Sequence, residues 1–182
     1  LIAAGCAAIA YETVAGSDGS LPLLAPMSEV AGRLSITIAG NLMMRSAGGR
    51  GMLLGGVAGV PPARVLVLGA GVAGAQAVRM AAGAGAEVTV VNRTLPKLRA
   101  LEAQLPGRVR TRPSTHAAID EELAQADVVI GAVLVTGAAT PRLVESCASS
   151  PVTFRPPGKW KAKSTLPVSS DRCNTLRFAP SG

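Results

Sequence analysis

The stretch RVLVLGAGVAG at residues 64–74 places the glycine pattern G-x-G-x-x-G directly after a continuous apolar run. Such a run bounded by glycine is typical of a strand covered on both faces of a parallel sheet. Here Gly69 permits a tight turn, Gly71 lets the backbone approach a pyrophosphate, and Gly74 lets the next helix lie close to the strand. The N–H groups of that helix then attract phosphate. We therefore predict dinucleotide binding, although in a chain with 21 glycines the pattern also arises by chance and then serves packing alone.

Strand-like and helix-like patterns alternate after the glycine pattern. Strands are predicted at 64–70, 87–93, 108–112 and 127–135, and helices at 72–84, 95–105 and 114–126, with Ser114 as N-cap of the last helix. Residues 139–148 are expected to begin a further helix. This alternation predicts an α/β fold with a Rossmann-type, doubly wound parallel sheet.

A helix is also predicted before the glycine pattern, from Ser28 to Arg45, with Ser28 as its N-cap. Its apolar residues recur at helical spacing, namely Val30, Leu34, Ile38 and Leu42. The glycine-rich residues 47–62 then interrupt the periodicity. We interpret them as a segment that crosses between two lobes.

The second predicted strand ends in VTVVNRT, residues 88–94, about twenty residues after the glycine pattern. In NAD-binding versions of this fold, an Asp or Glu at this point accepts hydrogen bonds from the ribose hydroxyls. Here Arg93 can pair with a 2′-phosphate, Thr94 can add a hydroxyl, and Asn92 can hydrogen-bond a ribose or a phosphate. The residues favour NADP, unless Arg93 points into solvent and Asn92 only caps the next helix.

The formal net charge of +7 is concentrated at the C-terminal end of the chain. Residues 151–182 carry six Lys or Arg and one Asp, which leaves twelve cations and ten anions, a net charge of +2, in residues 1–150. No helix or strand period is visible in 151–182. We expect this divergent tail to be disordered or the product of out-of-frame translation, and to be solvated rather than bound to nucleic acid.

Other classes of site are not favoured. Three cysteines without a C-x-x-C pair argue against a disulfide framework or zinc site and fit a reducing cytoplasm. The single histidine, His116, cannot build a His-rich metal site and is interpreted as a surface residue early in a helix. The longest charge-free stretches, 65–78 and 128–141, have fourteen residues each. A membrane-spanning helix needs about twenty, so none is predicted.

Four stretches together resemble bacterial alanine dehydrogenase: residues 11–35 with PMSEVAGR, GGRGMLLGGVAGV at 48–60, GAGVAG at 69–74 and GAVLVTGAATP at 131–141. The resemblance covers roughly residues 1–145, and PMSEVAGR and GGRGMLLGG lie outside the generic nucleotide fold. The related proton-translocating transhydrogenase α-subunit shares the domain order, but its segments look less like these. The resemblance implies interconversion of L-alanine with pyruvate and ammonia by hydride transfer to NAD, in a cytoplasmic homo-oligomer that is a hexamer in the family.

The resemblance also implies which residues contact the coenzyme, from its pyrophosphate to its nicotinamide side: Ser28, then Gly71, Val72 and Ala73 of the glycine loop, Asn92 in place of a ribose-binding Asp, Lys97 near the adenosine, Ser114 near the adenine, and Val133, Leu134 and Val135 near the nicotinamide. The NRT at the strand end is similar to the 2′-phosphate loop of shikimate dehydrogenases. NAD is therefore implied by the family, and NADP by this local departure from it.

The resemblance divides the chain into a remnant of a substrate lobe with a connecting helix at 1–44, a Rossmann domain at 45–150 and the divergent tail at 151–182. The family's substrate-binding Lys and catalytic His lie upstream of the segment that Leu1 begins, and its catalytic Asp lies after the fourth strand. We therefore expect an incomplete chain with no catalytic residue of its own, which is silent by itself. The alternatives are a non-catalytic nucleotide-binding remnant and the transhydrogenase α-subunit.

Overall fold

The computed structural model describes residues 2–7, 9–135, 143–144 and 152–154. Its α-helices and strands, in chain order, are α1 Ala25–Leu42, β1 Arg64–Leu68, α2 Val72–Gly83, β2 Glu87–Asn92, α3 Leu95–Gln104, β3 Val109–Pro113, α4 His116–Gln125, β4 Val128–Gly131 and β5 Val152–Phe154. Short 3-10 turns lie at Ile2–Ala4, Tyr11–Thr13 and Arg45–Ala47. Within these described ranges, no helix is both long and apolar enough to cross a membrane.

The strands form one sheet in the order β3-β2-β1-β4-β5. Strand β1 lies at the centre and pairs in parallel with β2 and β4, and β2 pairs in parallel with β3. This arrangement confirms the predicted parallel α/β sheet. No strand was expected in residues 151–182, and that expectation is wrong for Val152–Phe154, which pairs antiparallel with β4. The rest of that tail and most of the helix predicted at 139–148 lie outside the described residues, and the three-part division stays a prediction.

Alternate residues of the central strands face two different apolar cores. Val65 and Val67 of β1 lie in one core together with side chains of α1, α2 and α3. Leu66 and Leu68, the residues between and after them, pack on the other face with Ile119 of α4. This two-residue alternation is the geometry of a strand with both faces covered. Helices on both faces confirm the doubly wound fold.

Helix α1 begins earlier than predicted. Leu24 occupies the N-cap position without a side-chain capping bond, and Pro26 lies in the first turn, where its fixed φ suits a helix start. The prediction of Ser28 as N-cap is wrong, because Ser28 lies inside the helix. The apolar stripe is also partly wrong: Val30 is 64% exposed and Leu34 42% exposed. The buried face consists instead of three small residues and two larger ones, Gly32, Ser35, Ala39, Ile36 and Leu42.

The N-cap of helix α4 lies one residue later than predicted, at Thr115 instead of Ser114. The hydroxyl of Thr115 accepts a hydrogen bond of 3.1 Å from the backbone N–H of Ala118 and caps the helix. The backbone N–H of Ser114 donates instead to the carbonyl of Asn92, at 3.1 Å, and so extends the β2–β3 pairing. Strand β4 is shorter than predicted, because it ends at Gly131. His116 is exposed at the start of α4, as predicted.

Candidate functional site

The glycine loop leaves β1 at the carboxyl edge of the sheet, between the ends of β2 and β4. Gly69 has a φ of 104°, which is favourable for glycine alone. A Cβ at this position would lie 2.6 Å from the carbonyl oxygen of Ala132, which follows β4. The N–H of Gly69 donates to the carbonyl of Val91 at 2.8 Å. Gly69 therefore makes the turn that the sequence predicts, in a place without room for a side chain.

Gly71 and Gly74 fill two different roles at the start of α2. A Cβ on Gly74 would overlap the carbonyl group of Gly69, so Gly74 sets how closely α2 lies on the end of β1. Gly71 is the N-cap of α2, and a Cβ there would meet no atom within 4 Å in the part of the chain that the structure describes. The space next to Gly71 is thus open, as required if a ligand is to approach the backbone.

The backbone amides at this helix end are free to bind an anion. Helical hydrogen bonding begins with the N–H of Ala75, which donates to the carbonyl of Gly71 at 2.9 Å. The N–H groups of Val72, Ala73 and Gly74 precede it, and the first amides of a helix have no partner within the helix. Among the described residues, no side chain caps this helix end. The open space at Gly71 and these amides together fit the pyrophosphate of a dinucleotide.

Helix α1 packs directly on the first turn of α2. A Cβ on Gly32 would lie 2.9 Å from the carbonyl carbon of Ala73 and 2.9 Å from the Cβ of Gln76. The guanidinium of Arg33 donates to the side-chain oxygen of Gln76 at 3.1 Å. Ser28 lies one helical turn, about 6 Å, before Gly32 and on the same face of α1. The sequence interpretation gave no role to Gly32, although a glycine inside a helical pattern is itself a signal of close packing.

Asn92 ends β2 and is half-buried beside the glycine loop. Its side-chain oxygen accepts a hydrogen bond of 3.1 Å from the N–H of Ala70, and its side-chain nitrogen donates to the carbonyl of Thr94 at 3.0 Å. Asn92 therefore does not cap α3, whose N-cap residue is Thr94. The alternative that it serves only as a helix cap is wrong. The sequence interpretation missed the contact with Ala70.

The cations at this edge differ in their partners. Arg93 and Lys97 are exposed, and within the described ranges neither forms a salt bridge. Arg112 near the end of β3 pairs with Glu121 at 2.8 Å and with Glu122 at 3.0 Å. The hydrogen bonds that Arg112 donates to Glu121, and secondly to Glu122, raise the pKa of its guanidinium. Arg112 is thus charged but already engaged, whereas Arg93 and Lys97 remain available to an anionic ligand.

The remaining predicted site residues follow the ends of β3 and β4. Ser114 is half-buried directly after β3. Val133 is half-buried, with its Cγ2 atom 3.1 Å from where a Cβ of Gly69 would lie, while Leu134 is 64% exposed. Because parallel strands end at the same edge, these residues share the edge that carries the glycine loop. Elsewhere in the described part of the chain, no group of three or more His, Cys, Asp or Glu could hold a metal ion.

Comparison with known proteins agrees with this geometry. Residues 35–148 match the family model for the alanine dehydrogenase/PNT C-terminal domain. The alanine dehydrogenase of Mycolicibacterium smegmatis is 52% identical over 158 residues, which cover 87% of this chain and 42% of that protein. That of Mycobacterium tuberculosis is 53% identical over 146 residues, 80% of this chain and 39% of that protein. The chain thus spans about two fifths of the length of these relatives.

Two solved structures give the same result in three dimensions. An L-alanine dehydrogenase superposes with a TM-score of 0.73 at 48% identity, over 76% of this chain and 38% of its own. A transhydrogenase from Sinorhizobium meliloti superposes with a TM-score of 0.54 at 28% identity, over 66% of this chain and 36% of its own. With the family model matched over most of the described sheet, the chain belongs to the alanine dehydrogenase/PNT C-terminal domain family.

Proposed function

We propose that this chain is the dinucleotide-binding part of an alanine dehydrogenase, which interconverts L-alanine with pyruvate and ammonia by hydride transfer to a nicotinamide coenzyme. The observation that carries the proposal is the open space at Gly71 beside the unpartnered amides of Val72 and Ala73. Identities near 50% to proteins named alanine dehydrogenase, against 28% to the transhydrogenase, favour this activity over transhydrogenation.

The residues around the glycine loop would hold the coenzyme along its length. The pyrophosphate would lie against the amides that follow Gly71, and Ser28 would reach it from the neighbouring helix. The packing of Gly32 on Ala73 supports this role, because it brings the face of α1 that carries Ser28 onto the first turn of α2. The adenosine would lie toward Lys97 and Ser114, and the nicotinamide toward Val133, Leu134 and Val135. The bound coenzyme supplies the hydride acceptor, and the protein positions it.

Acid–base chemistry on the substrate is not assigned to any residue of this chain. Reduction of an imino acid needs groups that hold and protonate it, in addition to the hydride. The only histidine, His116, is exposed at the start of α4, the helix that follows β3. We therefore propose that these groups come from the part of an alanine dehydrogenase that this chain does not cover.

We also propose that the parent enzyme is a homo-oligomer of the cytoplasm. Large apolar side chains are exposed mainly in the first sixty residues, and among them Ile9 is 85% exposed, Val30 64% and Leu53 60%. Exposed apolar surface of this kind is commonly covered by protein contacts. The remaining lobe of the subunit or another subunit would cover it.

The coenzyme preference is proposed to include NADP because of Arg93. Arg93 is exposed next to Thr94. The end of β2 and the two residues after it, Asn92 to Thr94, include no carboxylate that would repel a 2′-phosphate. Charge-assisted, bidentate hydrogen bonds from arginine are the strongest protein contacts to phosphate. We expect calorimetric titration of the chain to give saturable binding of both NADH and NADPH.

Arg93→Ala should then weaken NADPH binding about tenfold, a loss of ~1.4 kcal/mol, and leave NADH binding nearly unchanged. Arg45→Ala is the matched control. Arg45 is also exposed, but it follows the C-terminal end of α1, whereas Ser28, which is proposed to reach the coenzyme, lies near the start of that helix. Calorimetry of the three proteins with both coenzymes gives the comparison. A strong preference for NADH that Arg93→Ala leaves unchanged would contradict the role of Arg93, and no binding of either coenzyme would contradict the proposed function itself.

A further inference from the structure

The side chain of Asn92 joins two loops that would touch different parts of the coenzyme. Its oxygen accepts from the N–H of Ala70 in the glycine loop, at 3.1 Å, and its nitrogen donates to the carbonyl of Thr94 in the β2–α3 loop, at 3.0 Å. Its own backbone carbonyl accepts from Ser114 after β3, at 3.1 Å. Asn92 is therefore hydrogen-bonded to the loops that follow β1, β2 and β3.

The side-chain amide of Asn92 satisfies both loop contacts with two different atoms. A backbone N–H such as that of Ala70 can only donate, and a backbone carbonyl such as that of Thr94 can only accept. The bridge thus needs one acceptor and one donor on the same short side chain, which Asn provides. An Asp at this position would still accept from Ala70, but its carboxylate could not donate to Thr94 and would repel that carbonyl oxygen.

The contact with Ala70 has a further structural consequence. Ala70 is 6% exposed, so its N–H has little access to water. A buried N–H without a partner is costly, and Asn92 removes that cost. One half of the bridge therefore stabilises the glycine loop, and the other half fixes the loop that carries Arg93.

We propose that Asn92 is a specificity-determining positioning residue: its amide holds Thr94, and through it Arg93, in the orientation that receives a 2′-phosphate. This inference rests on the proposed function, since it assigns how the same site selects its coenzyme. Asn92 acts through Arg93. Replacing the amide by a carboxylate releases the β2–α3 loop and shifts preference toward NADH, even though Arg93 is still present.

A double-mutant cycle tests whether Asn92 acts through Arg93. Because Asn92→Ala also removes the bond to Ala70, any loosening of the glycine loop affects both coenzymes equally, and the cycle is read on the ratio of NADPH to NADH affinity. We expect Asn92→Ala to lower this ratio about tenfold in the wild-type background and to leave it nearly unchanged in an Arg93→Ala background. An equal fall of the ratio in both backgrounds would mean that Asn92 selects the coenzyme without Arg93, and an unchanged ratio would mean that it positions nothing; each result overturns the inference.

Amide hydrogen exchange without coenzyme separates the bridge from the proposed function. In Asn92→Ala the N–H of Ala70 should exchange at least about tenfold faster. Asn92→Asp retains the acceptor, so it should fold and keep Ala70 slow while the amides of Arg93 and Thr94 exchange faster. Unchanged loop exchange in Asn92→Asp overturns the inference whatever the coenzyme result. Failure of the proposed function appears separately, as absence of coenzyme binding to the wild-type chain.

Discussion

Gly71→Ala is expected to abolish dinucleotide binding while leaving the fold and its stability unchanged. The backbone of Gly71 has φ −73° and ψ −169°, which alanine adopts without strain. A Cβ at this position meets no atom of the described residues within 4 Å, so the substitution introduces no clash with them. The same Cβ would occupy the space through which a pyrophosphate approaches the amides of Val72 and Ala73. We expect the affinity for NADH and NADPH to fall at least about a hundredfold, ~3 kcal/mol.

Gly83→Ala is the matched control for this loss of binding. Gly83 lies in the same helix, at its other end, and a Cβ there also meets no described atom within 4 Å. The Gly83→Ala variant should therefore bind both coenzymes as the wild-type chain does. Thermal unfolding should give equal midpoints for Gly71→Ala and wild type. If Gly71→Ala binds normally, the glycine pattern serves packing alone, and the dinucleotide assignment is wrong.

Gly32→Ala is expected to destabilise the chain and to weaken coenzyme binding together. Alanine is worth about 1 kcal/mol over glycine inside a helix, so propensity alone would predict stabilisation. Here, however, the added Cβ would run into the backbone carbonyl of Ala73. Overpacking of this kind typically costs about 1–3 kcal/mol, and backbone atoms cannot rotate away as a side chain can. Helix α1 must move off α2, and Ser28 moves with it.

Gly40→Ala on the same helix is the control for this overpacking. Its Cβ would meet only Cδ1 of Leu54, at 3.3 Å, and that methyl group ends a flexible side chain. We expect Gly40→Ala to be neutral or slightly stabilising in urea unfolding, and its coenzyme affinity to be unchanged. If Gly32→Ala were as stable as Gly40→Ala, the close contact between α1 and α2 would not exist in solution.

The strands were predictable because a strand that is buried on both faces is a continuous apolar run. The helices were predictable because their apolar residues recur at helical spacing. Continuous apolar runs identified β1 and β2, and their predicted bounds agree with Arg64–Leu68 and Glu87–Asn92 to within two residues. The glycine loop was predictable because a Cβ at Gly69 or Gly74 would clash with backbone atoms, while Gly71 leaves space for a ligand. The predicted strand at 127–135 was too long, because an apolar run continues past Gly131 after the pairing with β1 ends.

What the sequence did not reveal depends on partners far along the chain. The buried face of α1 is set by α2, which packs closely against Gly32 and leaves Val30 and Leu34 exposed. The hydrogen bonds of Asn92 join residues that are 22 and two positions apart, and only the fold brings Ala70 near. The choice between Ser114 and Thr115 as helix cap likewise follows from Ser114 being bonded to the end of β2.

Titration of ¹⁵N-labelled chain with NADH and NADPH, followed residue by residue in amide spectra, tests most directly whether the start of α2 binds a coenzyme diphosphate. We predict that the amides of Gly71, Val72 and Ala73 shift first and saturate together, and that those of Gly71→Ala do not shift. Spectra of the folded chain that remain unchanged at millimolar concentrations of either coenzyme would contradict the central claim.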